Sequence, residues 1–418
     1  MQTTVEHLVP PTSALPLDNT MTTQERRSSA SLALIFALRM LGLFLVLPVF
    51  ALEAQKYPGG EDAALVGLAM GIYGLTQGVL QIPFGMASDR WGRKPVIVVG
   101  LLIFALGSFM AALATTLPSL VAGRALQGAG SISAAVTALL ADQTRDSVRT
   151  KAMALVGISI GLMFALSLVL SPWLNAMIGL NGLLAATGVL ALAGIAVLLL
   201  WVPPEPVQRL HPGRNGLRQV LRLPALLRLN LGVFILHAVQ LAMWVVVPAM
   251  LVQAGLAKDQ HWQVYLPAVL GSFLAMGMVL FPLERRGYLR AVFLSAVGLM
   301  ALVQIGLLGA TFFTPSIGVL AVLLFVFFCG FNVLEASQPS LVSKLAPTPL
   351  RGASLGVYNS LQSLGFFAGG LCGGWLVKNA GPQALFAASS AAMALWLLAA
   401  WPMQVPAATA HAAVPKAA

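Results

Sequence analysis

Twelve apolar stretches of about 20 residues recur along this 418-residue chain. Each is long enough to cross a hydrocarbon core of roughly 30 Å at about 1.5 Å per helical residue. They fall near 31–51, 64–87, 96–115, 118–141, 152–175, 183–203, 229–252, 264–282, 291–311, 317–342, 353–376 and 383–401. Leu, Ala, Val and Gly fill them without the two-residue alternation of a membrane barrel, so the stretches read as helices. Charged residues make up only 9% of the chain, far below the roughly 25% of a soluble domain. The expected fold is therefore an all-α membrane protein of twelve transmembrane helices.

The charge distribution sets the orientation and excludes one function. The formal charge is +11. With both ends placed in the cytoplasm, the cytoplasmic side holds 19 Lys and Arg against 8 Asp and Glu, the outside 3 against 4, and the spans 2 against 1. This is the positive-inside pattern of a multi-pass protein, so the basic excess needs no nucleic acid to explain it. Residues 1–30 are polar and carry Pro10, Pro11 and Pro16, which reads as a disordered cytoplasmic tail. Arg26 and Arg27 lead into a full-length span rather than the short core of a signal peptide. Met21 is an alternative start. Cys329 and Cys372 both fall within spans and read as small packing residues.

A segment with five arginines at 204–228 divides the spans six and six, giving an N-terminal half at 31–203, a basic linker partly suited to an anionic leaflet, a C-terminal half at 229–401 and a short tail at 402–418. The halves echo each other. Asp89-Arg90-Trp91-Gly92 has a weaker counterpart in Glu284-Arg285-Arg286-Gly287, Pro172 falls opposite Gly370, and Ala152 opposite Ala353, at offsets of 195, 198 and 201. Two pseudo-symmetric six-helix halves imply a carrier in which one half rocks against the other around a central site. The chain has no G-x-x-x-x-G-K-[ST] phosphate loop, no H-E-x-x-H and no G-x-S-x-G. An enzyme is thereby disfavoured, no metal or organic cofactor is expected, and an ion gradient is left as the energy source.

Three ionisable groups lie within spans, apart from a histidine. Arg39 is about 12 Å into span 1 by helical rise. Arg124 lies in span 4 with Gln127 one turn on and Gly128 and Gly130 beside it, and Glu335 lies in the inner part of span 10. A charge at mid-membrane costs about 2.5–3.5 kcal/mol, so these groups must face the bundle interior, a wet cavity or one another. Glu335 is the proton-carrier candidate by elimination, against the alternative of a carboxylate at the helix end. His237, with Gln240 nearby, is a cavity candidate against the alternative of a satisfied core histidine. Gly67, Gly71, Gly74 and Gly78 in span 2, and Gly157 and Gly161 in span 5, let helices approach closely.

The charged run Gly85-x-x-x-Asp89-Arg90-x-Gly92-Arg93-Lys94 falls in a tight cytoplasmic turn. Gly92 suits a left-handed turn, Pro95 the first turn of span 3, and the basic residues this side of the membrane. Asp89 has no such explanation. The run resembles the loop 2–3 signature of the major facilitator superfamily, and Leu120-x-x-x-Arg124-x-x-Gln127-Gly128-x-Gly130 resembles the span 4 signature of its proton-coupled drug antiporters. The stretches "LRMLGLFLVLPV", "GIYGLTQGVLQIPFG" and "TRDSVRTKAMA" make the chain similar to the YajR branch of those antiporters, without that branch's soluble C-terminal domain.

The resemblance implies proton-coupled export of small amphipathic compounds, with uptake of a small anionic metabolite as the alternative. It also implies a bacterial inner-membrane location and protons, a small substrate and the lipid bilayer as partners, and the chain is expected to act as a monomer. Within the signature, Asp89 is implied to meet the N-terminal end of span 11, near Arg351 to Leu355, and Arg93 to pair with Asp142, so that the run gates the cytoplasmic face. One departure stands out. Where antiporters carry Gly-Pro-x-x-Gly-Gly in span 5, this chain has Ser171-Pro172-Trp173-Leu174-Asn175-Ala176, and the glycine spacing occurs in span 11 as Gly369-Gly370-Leu371-Cys372-Gly373-Gly374.

Overall fold

The computed structural model describes residues 20–205, 219–347 and 350–403, so most of both tails and most of the basic linker lie outside the described residues. The helices are α1 (Thr23–Ala54), α2 (Ala63–Trp91), α3 (Arg93–Ala112), α4 (Leu117–Ala129), α5 (Ser133–Asp142), α6 (Asp146–Leu200), α7 (Pro224–Gln253), α8 (Trp262–Arg285), α9 (Leu289–Ala310), α10 (Ile317–Leu345) and α11 (Arg351–Ala400). No strand occurs among the described residues. Eight of the helices are long and apolar enough to cross a membrane.

Helices α6 and α11, of 55 and 50 residues, are about twice one crossing. Each contains one glycine with non-helical backbone, Gly179 and Gly381, at φ 66° and 80°. The chain folds back at both. Ser159 donates to the Ala33 carbonyl at 3.2 Å, while a Cβ on Gly194 would stand 4.0 Å from Ile35, so residues on either side of Gly179 lie at one depth along α1. Likewise Gly365 abuts Phe234 and Trp396 abuts Gly232 of α7. Counting each as two spans, and α4 with α5 as one span broken at 130–132, gives a path consistent with twelve crossings.

The duplication is written in the backbone. The positive-φ glycines form three pairs, Gly59 with Gly255, Gly92 with Gly287 and Gly179 with Gly381, separated by 196, 195 and 202 positions. Prolines inside α1 and α7 (Pro48, Pro248) and inside α2 and α8 (Pro83, Pro282) stand 200 and 199 apart. Turns and kinks repeat although most side chains between them do not.

One boundary and the burial of the two cysteines differ from expectation. Helix α1 begins at Thr23, inside the segment read as a tail, because Thr22 and Glu25 form a capping box and Glu25 accepts from Arg145 at 2.9 Å. Cys372 is exposed and Cys329 half-buried, both as free thiols, rather than core packing residues.

The halves meet along α2 and α11. A Cβ on Gly67 would lie 2.1 Å from the Gly370 carbonyl oxygen, one on Gly74 2.3 Å from that of Ser363, and one on Gly78 3.0 Å from that of Ser360. Only glycine allows this approach. The seam runs from the start of α2 to its middle, and at its outer limit Lys378 donates to Asp62 at 2.7 Å, holding that carboxyl below the usual carboxylate range. Lys258 and Glu53 add a second pair at 3.9 Å. A cleft of about 560 Å³, lined in part by Gln55, Glu61, Gln253, Thr311 and Gln383, remains at this end.

At the end where α1 begins and α11 ends the halves part. Gly85 meets only Ala134 of its own half at 3.6 Å, and a Cβ on Gly157, Gly352 or Gly356 would enter open space. The space between the halves is thus closed at the Asp62 end and open at the Asp89 end.

Candidate functional site

Three polar centres organise this space: two buried guanidiniums in the first half, a carboxylate and imidazole in the second, and the charged turn at the open end. Their positions follow from close helix contacts. Gly128 presses α4 against α2, since a Cβ there would lie 2.2 Å from the Tyr73 carbonyl oxygen, and Gly130 presses the α4–α5 break against Gly100 at 2.3 Å. The break frees the Gly130 carbonyl from helical bonding and turns it toward Arg39.

Arg39 is 1% exposed. Its Nη1 donates to Ser133 Oγ at 3.1 Å, and its Nη2 to Tyr73 OH at 2.7 Å, Gln77 Oε1 at 3.1 Å and the Gly130 carbonyl at 3.5 Å. The Phe104 ring lies 5.3 Å from the guanidinium carbon. Intramembrane hydrogen bonds of roughly 1–2 kcal/mol each are enough to offset the cost of the charge. Arg124 is also buried, donates to Gln127 Oε1 at 2.6 Å, and lies over the rings of Tyr73 and Phe50 at 5.4 and 5.7 Å. Gln127 in turn donates to Ser108 at 2.8 Å. Both cations face inward, share Tyr73 and are held by neutral dipoles and aromatic faces.

In the second half, His237 Nδ1 lies 2.9 Å from the Val233 carbonyl. A carbonyl only accepts, so Nδ1 carries a hydrogen, and in the neutral ring Nε2 presents a lone pair. Gln362 Nε2 donates to that lone pair at 2.8 Å and to Glu335 Oε1 at 3.1 Å. The other carboxylate oxygen, Oε2, is buried without a hydrogen-bond partner and stands 3.4 Å from His237 Nε2. With a neutral imidazole and an ionised carboxylate these two atoms are both acceptors, and they face each other. Phe331 and Phe366 flank the imidazole at 5.9 and 4.9 Å and exclude competing polar groups. Arg39 and His237 stand 198 positions apart on the first helix of each half, so the two centres occupy corresponding places in the repeat.

A chain of amides joins the halves. Gln77, which accepts from Arg39, donates through Nε2 to Ser363 Oγ at 3.0 Å, and Ser363 follows Gln362 on α11. Tyr73, Gln77, Gln362 and Ser363 carry no charge, so charge within a span does not mark them. Glutamine within an apolar span is the signal that would have found two of them.

At the open end, Gly92 at φ 106° makes the turn between α2 and α3. Arg93 donates to Asp142 at 3.1 Å, to Ser88 at 2.7 Å and to Asp89. Glu205 accepts the backbone N–H groups of Arg93 and Lys94 at 3.1 and 2.5 Å, so a carboxylate sits on the positive end of α3, and Lys94 Nζ reaches the Val202 carbonyl at 2.7 Å. Ser88 and Glu205 are members of the network that the motif did not reveal. Arg90 is exposed and Gly85 packs loosely. Asp89 meets Arg93 and not the start of α11, because the halves are apart here. The Glu284 and Arg285 side chains lie outside the described residues.

Pro172 lies within α6 ahead of the reversal at Gly179. Gly369 and Gly373 receive Ala238 and Ala242 of α7, while Gly370 and Gly374 receive Gly67 of α2, so the span 11 glycines serve both seams of that helix. Among the described residues no group of three or more His, Cys, Asp or Glu could hold a metal ion.

The chain matches the Major Facilitator Superfamily model over residues 32–370. It is 42% identical to the inner membrane transport protein YajR of Escherichia coli over 93% of this chain and 86% of that one. It is 28% identical to the multidrug resistance protein MdtH of Aeromonas salmonicida over 84% and 88% of the two chains. Among solved structures it is similar to the human organic anion transporter MFSD10, at TM-score 0.69 and 20% identity, covering 91% of this chain and 100% of that one. An inward-facing bacterial homolog of the lysosomal transporter Spinster gives TM-score 0.66 at 15% identity, covering 91% and 96%. Those two likenesses speak to the fold alone. The match in sequence, the duplicated helical body and the charged turn agree: this chain belongs to the Major Facilitator Superfamily of membrane transporters.

Proposed function

We propose that this transporter exports small amphipathic compounds across the bacterial inner membrane in exchange for protons, with the proton held between Glu335 and His237. One observation carries the reading: Glu335 Oε2 has no hydrogen-bond partner and faces the lone pair of His237 Nε2 at 3.4 Å. One proton there satisfies both atoms. The Glu335 side chain is 38% exposed, which gives a proton a route on and off the pair. The names of the relatives support direction and place, since YajR is an inner membrane transport protein and MdtH a multidrug resistance protein. Both termini and the Asp89 turn belong to the cytoplasm by the positive-inside distribution, which makes the conformation inward-facing. In purified proteoliposomes, an imposed proton gradient drives accumulation of an amphipathic dye and its collapse abolishes it. Flux indifferent to the gradient would make the protein a facilitator.

The Asp89 turn forms the cytoplasmic gate. When the halves close at this end, Asp89 trades Arg93 for the N-terminal end of α11, where a carboxylate gains about 0.3–1 kcal/mol when exposed and up to roughly 2 when partly buried. A contact of this size biases a two-state equilibrium without freezing it. Asp89→Asn therefore lowers the transport rate while dye affinity, measured by binding to the purified protein, stays unchanged. Weakened binding with the same cycling rate would place Asp89 in the substrate site instead.

A second reading rests on the two guanidiniums, whose described hydrogen-bond partners are all neutral. Such a centre suits import of a small anionic metabolite. Competition by anions, with none by lipophilic cations, would select it.

A further inference from the structure

We infer that Gln362 is the positioning residue that converts proton occupancy of the Glu335–His237 pair into release of the polar tie between the two halves. The inference rests on the proton-site reading above and adds the step by which that site moves the protein.

It follows from counting donors and acceptors. The Gln362 amide nitrogen has two hydrogens, and its acceptors are His237 Nε2 at 2.8 Å and Glu335 Oε1 at 3.1 Å. An imidazole nitrogen has one lone pair. A proton that binds to His237 Nε2 turns that atom into a donor and sets it against the amide N–H. A proton that binds to Glu335 Oε2 makes this oxygen a donor toward the same lone pair and displaces the amide. In either case one proton is taken from water at the open face, the pair gains one positive charge, and no covalent bond breaks. The Gln362 to His237 hydrogen bond survives in neither. The amide must turn, which the broad, two-fold terminal torsion of glutamine permits.

The consequence reaches the seam through the next residue. Ser363 Oγ accepts from Gln77 Nε2 at 3.0 Å, a contact that crosses from α11 to α2 at the level where a Cβ on Gly74 would lie 2.3 Å from the Ser363 carbonyl oxygen. Gln77 is held in turn by Arg39 at 3.1 Å. Gln362 and Ser363 are consecutive on α11 and their side chains point apart, so the coupling runs through the helix itself: loss of the Gln362 tie to α7 frees α11 to shift, and the Ser363 hydroxyl shifts with it at a seam with no spare room. The ionisable groups around the pair are few. Tyr358 of α11 lies within electrostatic reach of Glu335 and has a buried hydroxyl without a partner, and Arg39 of α1 lies beyond Gln77. Phe331 of α10 and Phe366 of α11 bring only rings. The proton-free arrangement therefore holds the seam shut at its inner limit, and the protonated one loosens it.

The test uses the full chain in lipid nanodiscs, with Cys329 and Cys372 replaced by serine and spin labels at Trp91→Cys and Gly352→Cys across the open end. Distance distributions are recorded as the pH falls, together with the infrared band that marks the bound proton, either the carboxyl band lost in Glu335→Gln or the imidazolium band lost in His237→Gln. In the parent, the band grows and the distance distribution shifts together. In Gln362→Met the band still grows, and the pH-driven distance shift is lost. In Ser363→Ala the distribution is already shifted at neutral pH. A full pH-driven shift in Gln362→Met, or an unshifted neutral distribution in Ser363→Ala, would overturn the role of Gln362. A parent in which neither band grows would overturn the proton site beneath it.

Discussion

Replacing Glu335 by glutamine is expected to reduce proton-driven dye accumulation to that of protein-free vesicles while leaving counterflow between dye-loaded compartments intact. The two outcomes separate because only one needs a proton. Glutamine keeps an oxygen for the Gln362 amide at 3.1 Å and fills the same volume, so the helices keep their packing. It presents no site that titrates, so the carrier behaves as though its load were fixed, cycling with substrate and idle without it. The measurement is made twice on one preparation, once under an imposed gradient and once at equal pH with labelled dye on one side. Persistent gradient-driven accumulation would make Glu335 structural, and loss of counterflow as well would place it in the substrate pocket.

The second large effect concerns the α2–α11 seam. Gly370→Val puts a branched side chain where even a Cβ would lie 2.4 Å from the Gly67 carbonyl oxygen and 2.8 Å from the Gly71 nitrogen. Backbone cannot yield as a flexible side chain does, and overpacking of this kind costs about 1–3 kcal/mol. That shifts a two-state equilibrium by roughly one to two powers of ten away from the conformation closed at this end. Cross-linking of Asp62→Cys to Lys378→Cys by a bifunctional thiol reagent of about the length of a lysine side chain, with Cys329 and Cys372 replaced by serine, reports on the closure, since the native side chains meet at 2.7 Å. Cross-linking is expected to fall at least tenfold in the valine variant and to remain in Gly298→Ala, where a Cβ meets open space. Undiminished cross-linking would show that the seam tolerates the volume and that its glycines do not set the equilibrium.

Much of the fold was legible in the sequence because bilayer thickness fixes span length, and runs of Leu, Ala and Val with glycine declare helices directly. The reversals at Gly179 and Gly381 were placed within loops by the same reasoning, and the charged turn by its glycine and basic residues. Helix α1 begins earlier than expected because its cap, Thr22 with Glu25, is polar, and a search for hydrophobicity passes over it. Arg39, Arg124 and Glu335 stood out as charges in an apolar setting. Gln77 and Gln362 did not, since an uncharged amide is a modest departure from an apolar run, and which amides meet depends on helix rotation that spacing does not supply. The Nδ1 side of His237 meets the Val233 carbonyl of its own helix at 2.9 Å, a contact that the i−4 spacing allows for any helical histidine. Its Nε2 side meets Glu335 and Gln362 only through the packing of α7, α10 and α11.

The matching places of Arg39 and His237 bear on how an ancestral twin becomes a machine with a sense of direction. A guanidinium holds its charge at any pH a cell meets, whereas an imidazole gives its charge up. On the proton coupling proposed above, one copy of the repeat serves as a fixed reference and the other as a sensor, and energy enters through the sensor alone. A carrier whose copies had stayed alike would have two equivalent inputs and no built-in asymmetry by which to tell loading from discharge.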